Sequence, residues 1–224
     1  MLSTILFILF CIIFIFFSLA HLFASYVDDK AKRAWTKWGI VPSLGFAYVF
    51  ASKDVNALLL LALLFCFLGD VLLIRKSRIS FTMGGISFLL AHIFFILTYC
   101  KYTDFSKIPL WVIPIVCAIY ATVVFWGLRK PSKYVKTADK VLFYTYLSIN
   151  AVNSIFALLW LISKPSAASV IAFLGATSFI ISDTLLFRCR FLPHSIKRKH
   201  FYVMLTYILA EEMLVMANLI AESW

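Results

Sequence analysis

Two aspartates recur in the same short motif, in or beside long apolar runs of the sequence. Residues 69–75 read GDVLLIR and residues 182–188 read SDTLLFR, so that Asp70 aligns with Asp183. Two carboxyl groups in one pocket of low dielectric constant cannot both ionise cheaply, so one of them is expected to keep its proton near neutral pH. Such a pair offers a proton donor beside an anion, which is what general acid–base catalysis without a metal requires.

Further polar residues fall within the apolar runs and are expected to line a pocket with the aspartates: His92, Tyr144, Asn150, Asn153, Tyr207 and Glu211. Tyr207 and Glu211 share a helix face at i,i+4 spacing, whereas adjacent Glu211 and Glu212 point about 100° apart, so only one of the glutamates is expected to face the pocket. Hydrogen bonding between helices is favoured over catalysis for Tyr144, Asn150 and Asn153. His92 fits a hydrogen-bonded core position equally well.

The elements that carry these residues are predicted from the apolar runs. The chain is 63% hydrophobic with a mean hydropathy of +0.98, and runs of about 20 apolar residues, enough for a helix to cross a bilayer, recur throughout. They predict helices at roughly 3–25, 34–51, 55–74, 80–99, 109–128, 138–163, 167–187 and 200–221. The fold class is therefore all-α: a polytopic transmembrane bundle of eight helices in a single domain over residues 1–224.

The net charge of +11 follows the membrane topology and does not indicate nucleic acid as a partner. Basic residues cluster in the connections after helices 1, 3, 5 and 7, including Lys30, Lys76, Lys130, Lys136 and Arg188; of the 21 Lys and Arg, only Lys53, Lys101, Lys107 and Lys164 lie elsewhere. This positive-inside pattern predicts that both termini face away from the cytoplasm. The basic connections are also expected to contact anionic membrane lipids.

The repeated motif constrains how the helices are arranged. Four helices separate Asp70 from Asp183, so the two copies keep the same orientation in the membrane, and a pseudo-two-fold axis along the membrane normal can relate them. Two parallel four-helix repeats, approximately residues 1–108 and 109–224, are one arrangement that the motif allows. Both aspartates then lie at one depth near the cytoplasmic boundary, where they can face each other across the bundle.

The cysteines do not indicate a metal site or a disulfide framework. Cys11, Cys66, Cys100, Cys117 and Cys189 are scattered, odd in number and without a CxxC pair. They are interpreted as small apolar packing residues. No metal or other cofactor is predicted.

The motif residues resemble those of the YhhN-type lysoplasmalogenases, a family of eight-helix membrane proteins. The family has G-D-x-x-L and then A-H in the first half, and S-D-x-x-L followed by a Tyr and an Ala-Gln pair in the second. Residues 65–99 and 179–214 carry the match, through Gly69-Asp70, Ala91-His92, Ser182-Asp183 and Tyr207. The departures are Phe95, where an aromatic hydroxyl is common, Glu211, where Gln is usual, and Trp38, which replaces Pro after Thr36-Lys37.

The resemblance implies hydrolysis of the vinyl ether bond of a lysoplasmalogen, a lysophospholipid, to a fatty aldehyde and a glycerophospho-ethanolamine or -choline. It implies Asp70 and Asp183 as the essential catalytic pair and no cofactor. Substrate binding is assigned to the surrounding polar residues His92, Tyr207, Glu211, Tyr144, Asn150 and Lys37. The chain is predicted to be a multi-pass protein of the endoplasmic reticulum membrane or of the bacterial cytoplasmic membrane. The oligomeric state is left open.

Three alternatives remain from the residues alone. Paired acids in parallel repeats also suit a proton-coupled transporter, although helices 3 and 7 show no central Pro/Gly break around the aspartates. A zinc-dependent intramembrane lipid hydrolase would need several His ligands at one site, and only His92 lies deep in a helix. A lipid-binding membrane protein without catalysis is the third.

Overall fold

The computed structural model of the chain describes residues 2–75, 77–129, 133, 137–192 and 196–222, with the backbone alone for 127–128, 137–139 and 141–143. These residues form α1 (Leu2–Tyr26), α2 (Lys30–Ala51), α3 (Ala57–Ile74), α4 (Arg78–Tyr102), α5 (Val112–Leu128), α6 (Thr137–Ser163), α7 (Ala167–Phe191) and α8 (Lys199–Glu222), and a 3₁₀ turn at Phe105–Lys107. The all-α fold class and the number of helices are confirmed.

Polar residues at the ends of the apolar runs fix where the helices begin. The side chains of Asp29, Asn56 and Ser77 accept hydrogen bonds from backbone N–H groups two or three residues further on, at 3.1, 3.2 and 2.9 Å. Ser166 and Ser169 form a reciprocal capping box at the start of α7. These side chains satisfy backbone donors that the first turn of a helix leaves unpaired. The cap at Asp29 explains why α2 begins at Lys30 and not near residue 34.

Six of the described helices are long and apolar enough to cross a membrane: α1, α3, α4, α7, α8 and the Tyr144–Ser163 part of α6. Large apolar side chains on their outer faces are exposed, including Phe16, Phe23, Leu64 and Leu174. Exposed apolar surface on this scale is expected where lipid is the surrounding solvent. The chain is therefore a multi-pass membrane protein.

Consecutive helices pack as neighbours, and α8 closes the bundle. The pairs α1–α2, α3–α4 and α7–α8 have the most extensive contacts, α6 packs on both α4 and α7, and α8 also contacts α1 and α2. The packing of α3 on α4 has a counterpart in that of α7 on α8. The packing of α2 on α3 likewise has a counterpart in that of α6 on α7. This correspondence is compatible with two parallel repeats, which stay a prediction.

The two ends of the bundle differ in chemistry. The terminal end brings together both ends of the described chain, because Ser3 Oγ donates to the Phe50 carbonyl at 2.6 Å and Ser52 Oγ donates to Glu222 at 2.6 Å. The opposite, basic end carries the α1–α2, α3–α4 and α7–α8 connections. Lys76, Lys130 and Lys136, which contribute to the predicted charge asymmetry, lie outside the described residues. The cytoplasmic orientation of the basic end stays a prediction.

Glycines bring α3 and α4 close together beside Asp70. A Cβ atom added at Gly69 would lie 2.6 Å from Cε2 of Phe88, and one added at Gly84 would lie 3.1 Å from Cδ2 of Leu73. Phe88 is itself buried and packs perpendicular to Tyr207 at a ring-centroid distance of 6.0 Å. The Phe88 ring therefore has little room to withdraw, and the contact requires glycine at position 69.

We expect Gly69→Ala to lower stability by about 1–3 kcal/mol, as overpacking of a filled core does. Thermal unfolding in detergent measures this. Gly45→Ala is the matched control, because its added Cβ would meet nothing closer than Leu63 Cδ1 at 3.9 Å. Adding Phe88→Leu to Gly69→Ala should recover part of the loss; equal melting temperatures for Gly69→Ala and Gly45→Ala would contradict the packing argument.

Candidate functional site

The two repeated aspartates lie inside the bundle. Asp70 in α3 is 2% exposed and Asp183 in α7 is 4% exposed. An acid within a membrane helix costs about 2.5–3.5 kcal/mol on insertion scales. Each carboxyl must therefore find charged or hydrogen-bonding partners on neighbouring helices.

Asp70 is paired with a cation from α2. Lys37 Nζ lies 2.9 Å from Oδ1 of Asp70, and the hydroxyl of Tyr207 in α8 donates to Oδ2 at 2.9 Å. The Lys37 side chain is 15% exposed. A buried ion pair with a further hydrogen bond on the second oxygen favours the ionised carboxylate. Partners from α2 and α8 thus contact both oxygens of Asp70.

Asp183 receives a different set of partners. Oδ2 accepts hydrogen bonds from the Tyr146 hydroxyl at 2.6 Å and from Nδ2 of Asn150 at 2.5 Å, both from α6. Nε2 of His92 in α4 lies 3.4 Å from the same oxygen. Tyrosine and asparagine are neutral donors, and only His92 can become charged here. All three of these groups contact Oδ2.

An aromatic ring joins the two carboxyl environments. Phe179, one helical turn before Asp183, contacts His92 at a ring-centroid distance of 4.7 Å and Tyr207 at 5.5 Å. The Asp70 and Asp183 carboxyls lie close enough to interact electrostatically. The two aspartates therefore belong to one buried pocket, whose walls are apolar rings and whose polar groups point at the carboxyls.

A third carboxyl, Glu211, lies one turn beyond Tyr207 on the same face of α8. It is 0% exposed, whereas Glu212 faces outward. The Cys66 thiol and the Tyr207 hydroxyl adjoin it, but neither oxygen of Glu211 is in hydrogen-bonding geometry with any described residue. Glu211 is thus the pocket glutamate, and unlike both aspartates it forms no hydrogen bond with a described residue.

Most of the predicted site residues converge, and one does not. His92, Asn150, Tyr207, Glu211 and Lys37 all line the pocket with the aspartates. The placement of Tyr144 in the pocket is wrong, because its side chain is 44% exposed. Two residues further along α6, about 200° around the helix, Tyr146 occupies the pocket position.

Tyr146 and Cys66 are pocket residues that the sequence analysis did not assign. Tyr146 precedes Asn150 by four residues, and Cys66 precedes Asp70 by four residues, so each shares a helix face with a predicted site residue. That spacing is the signal that could have found them. The cation paired with Asp70, Lys37, lies on a different helix, α2, where no such spacing could indicate it.

The basic end of the pocket carries additional positive charge. Lys37, Arg33 and His200 all lie within electrostatic range of buried His21, whose Nδ1 is 2.9 Å from the Thr36 hydroxyl. His21 therefore lies inside the bundle. Among the described residues, no group of three His, Cys, Asp or Glu side chains is placed to hold a metal ion.

Fold and site together define the class: a polytopic α-helical membrane protein with a pair of carboxyls buried in its interior. The sequence matches the YhhN family over residues 32–218, and the chain belongs to that family. The resemblance seen in the motif residues is thereby confirmed. No curated protein and no solved structure matches the chain.

We expect Lys37→Met to lower stability by about 3 kcal/mol, because it leaves the buried Asp70 carboxylate without its counter-ion. Adding Asp70→Asn should recover most of the loss, since neither charge then remains. The measurement is thermal unfolding in detergent.

Lys107→Met is the control for the ion pair. Lys107 also pairs with an aspartate, Asp104, at 3.3 Å, but the two side chains are 67% and 42% exposed. Exposed pairs contribute about 0–1 kcal/mol, so this variant should melt near the wild-type temperature. If Lys37→Met melted there as well, the charge pairing of Asp70 would be refuted.

Proposed function

We propose that this protein hydrolyses the vinyl ether bond of lysoplasmalogens, releasing a fatty aldehyde and a glycerophospho-ethanolamine or -choline. Membership of the YhhN family, which includes lysoplasmalogenases, supports this substrate class. The observation that carries the proposal is the placing of two carboxyls in one buried pocket with non-equivalent partners, a lysine for Asp70 and neutral donors with an imidazole for Asp183.

The chemistry of a vinyl ether needs both kinds of carboxyl. Protonation of the alkene carbon that does not bear the oxygen produces an oxocarbenium ion. Water adds to this cation and loses a proton, and the resulting hemiacetal collapses to the aldehyde and the glycerol hydroxyl. The reaction therefore requires an acid to start it and an anion to stabilise the cation or accept a proton from water, as in glycosidases. The sum consumes one water molecule and no net proton.

The partners of the two aspartates suggest their roles. Asp70, beside Lys37, is the carboxylate that stabilises the oxocarbenium ion and receives a proton from the attacking water. Asp183, which neutral donors and an imidazole contact in place of a lysine, is the general acid. The Tyr146 and Asn150 hydrogen bonds to Oδ2 hold that acid in one orientation. Asymmetry of this kind is what lets two identical residues perform different steps.

The charge at the basic end suits the substrate head group. Lys37 and Arg33 lie at this end, beside the pocket. A lysolipid placed with its phosphate there would have its vinyl ether next to the glycerol, at the depth of the aspartates. Its alkyl chain would leave between apolar helix faces toward the lipid. Arg33 and Lys37 are thus proposed to attract the phosphate.

We expect Asp70→Asn and Asp183→Asn each to reduce aldehyde release about 10²- to 10⁴-fold, the range of a lost general acid or base. The assay couples aldehyde formation to its reduction by NADH in detergent solution. Asp104→Asn, in the exposed 3₁₀ turn, is the control and should keep full activity. Wild-type activity in both pocket variants would rule out the mechanism.

Chemical rescue separates the two roles. Formate should restore part of the activity of Asp183→Ala as formic acid, so its effect should fall as pH rises through the formate titration. In Asp70→Ala the formate anion is the active form, so rescue should increase over the same pH interval. Opposite pH profiles support the assigned roles; profiles that are exchanged between the variants would reverse them.

Proton-coupled transport is the second candidate, because polar side chains continue from the aspartates through the bundle to Glu222 at the terminal end. A transporter would show gradient-dependent uptake into vesicles and no aldehyde release in detergent. The hydrolase needs no gradient. Comparing the two assays on one preparation distinguishes these functions.

A further inference from the structure

Buried polar side chains continue beyond the aspartate pocket into the centre of the bundle. On α6 they follow one helix face as Asn150, Asn153 and Trp160, and they are joined by Tyr99 of α4 and Glu211 of α8. We call these five residues the polar seam. Asn150, Asn153, Tyr99 and Glu211 are 0% exposed and Trp160 is 1% exposed.

The polar atoms of the seam are largely without partners. Both side-chain polar atoms of Asn153, both oxygens of Glu211, Oη of Tyr99, Nε1 of Trp160 and Oδ1 of Asn150 form no hydrogen bond with any described residue. In a membrane interior, each polar group of this kind costs several kcal/mol if nothing satisfies it. Most buried polar groups in native proteins are satisfied, so a concentration of exceptions at one place indicates a bound polar species.

The seam connects the aspartate pocket with the terminal end. At one end Asn150 donates to Asp183. At the other, the Trp160 ring stacks on that of Tyr102 at 4.9 Å, and the Tyr102 hydroxyl lies 3.5 Å from Oδ1 of Asn218.

From Asn218 a hydrogen-bonded chain continues to the surface of the terminal end. Nδ2 of Asn56 donates to Oδ1 of Asn218 at 3.3 Å, and the backbone N–H of Asn56 donates to the Tyr48 hydroxyl at 2.8 Å. Tyr48 and Ser52 both donate to the Glu222 carboxylate. Polar side chains therefore occur at successive levels of the bundle between Asp183 and Glu222.

We propose that the polar seam binds a file of internal water molecules, which enters from the terminal end and supplies the water that attacks in the aspartate pocket. The unpartnered atoms include donors, such as the Trp160 N–H, and acceptors, such as the Glu211 oxygens, and water satisfies both kinds with its two to four hydrogen bonds. An alkyl chain satisfies neither kind, and the phosphate of a head group would meet no cation among the seam residues.

Separate routes follow for the two reactants. The lysolipid reaches the pocket from the basic end and from the lipid, while water arrives through the seam from the terminal end. Delivery of the attacking water rests on the proposed hydrolase function, whereas water binding in the seam does not. The two parts can therefore be tested separately.

Radiolytic hydroxyl-radical labelling tests water binding directly. Water bound inside a protein forms radicals that modify adjacent side chains, which mass spectrometry identifies. In the wild-type protein in nanodiscs, Tyr99 and Trp160 should be labelled about tenfold faster, relative to their intrinsic reactivity, than Phe14, which is buried against the apolar core. Labelling of Tyr99 and Trp160 no faster than that of Phe14 would overturn the proposal.

Asn153→Leu tests the use of this water. The substitution removes two unpartnered polar atoms, so the melting temperature should stay constant or rise. Labelling of Trp160 should fall, and kcat for aldehyde release should fall about tenfold with KM unchanged, since substrate does not contact Asn153. A lower melting temperature, with kcat and Trp160 labelling unchanged, would show that Asn153 has a structural role and would refute the proposed water file.

Asn218→Leu is the matched control for stability. Asn218 is hydrogen-bonded to Asn56, Tyr102 and the Leu214 carbonyl, so its replacement should lower the melting temperature, unlike that of Asn153. If the wild type released no aldehyde but Tyr99 and Trp160 were labelled, water binding in the seam would be supported and the proposed hydrolase function would be refuted. If the wild type were active and Asn153→Leu kept full kcat, the proposal that the seam delivers the attacking water would be refuted.

Discussion

A carboxylate inside a membrane must be matched by a positive charge or by directed donors, and the packing of this bundle meets that requirement. Asp70 in α3 is matched by Lys37 from α2 and by Tyr207 from α8. Asp183 in α7 is matched by Tyr146 and Asn150 from α6 and approached by His92 from α4. Displacing any one of these helices would remove at least one partner from a carboxyl, so the site and the helix packing depend on each other.

The repeated motif produces two chemically different sites because its copies meet different neighbours. The D-x-L-L pattern places each aspartate inside the bundle, but the motif does not supply the groups that surround it. A lysine pairs with one carboxyl, while Tyr146, Asn150 and His92 contact one oxygen of the other. Phe179 stands between the two environments and touches both. Difference in surroundings, more than proximity alone, is what makes the pair suitable for acid–base chemistry.

Much of this arrangement could be predicted from the sequence, because apolar runs determine which segments become membrane helices. The same runs make polar residues within them conspicuous, which is how Asp70, Asp183 and His92 were found. Tyr144 and Tyr146 could not be told apart, since the contacts of α6 with α4 and α7 decide which face points inward. The pairing of Lys37 with Asp70 was likewise out of reach, because it depends on how α2 packs on α3.

Glu211 marks the point where the aspartate pocket meets the polar seam. Asp70 and Asp183 both act electrostatically on Glu211, and the ion pair with Lys37 already belongs to Asp70. A buried carboxyl with no donor directed at it is most stable as a neutral acid. A neutral carboxyl has one donor and acceptor oxygens, much as an amide does. Glu211 can therefore make the hydrogen bonds of the Gln that the YhhN-type family usually has at this position. A seam whose own groups stay neutral can conduct water without binding ions. Vinyl ether hydrolysis requires that property, because it consumes water and no net charge, whereas proton-coupled transport would require a group in the seam to change its charge in every cycle.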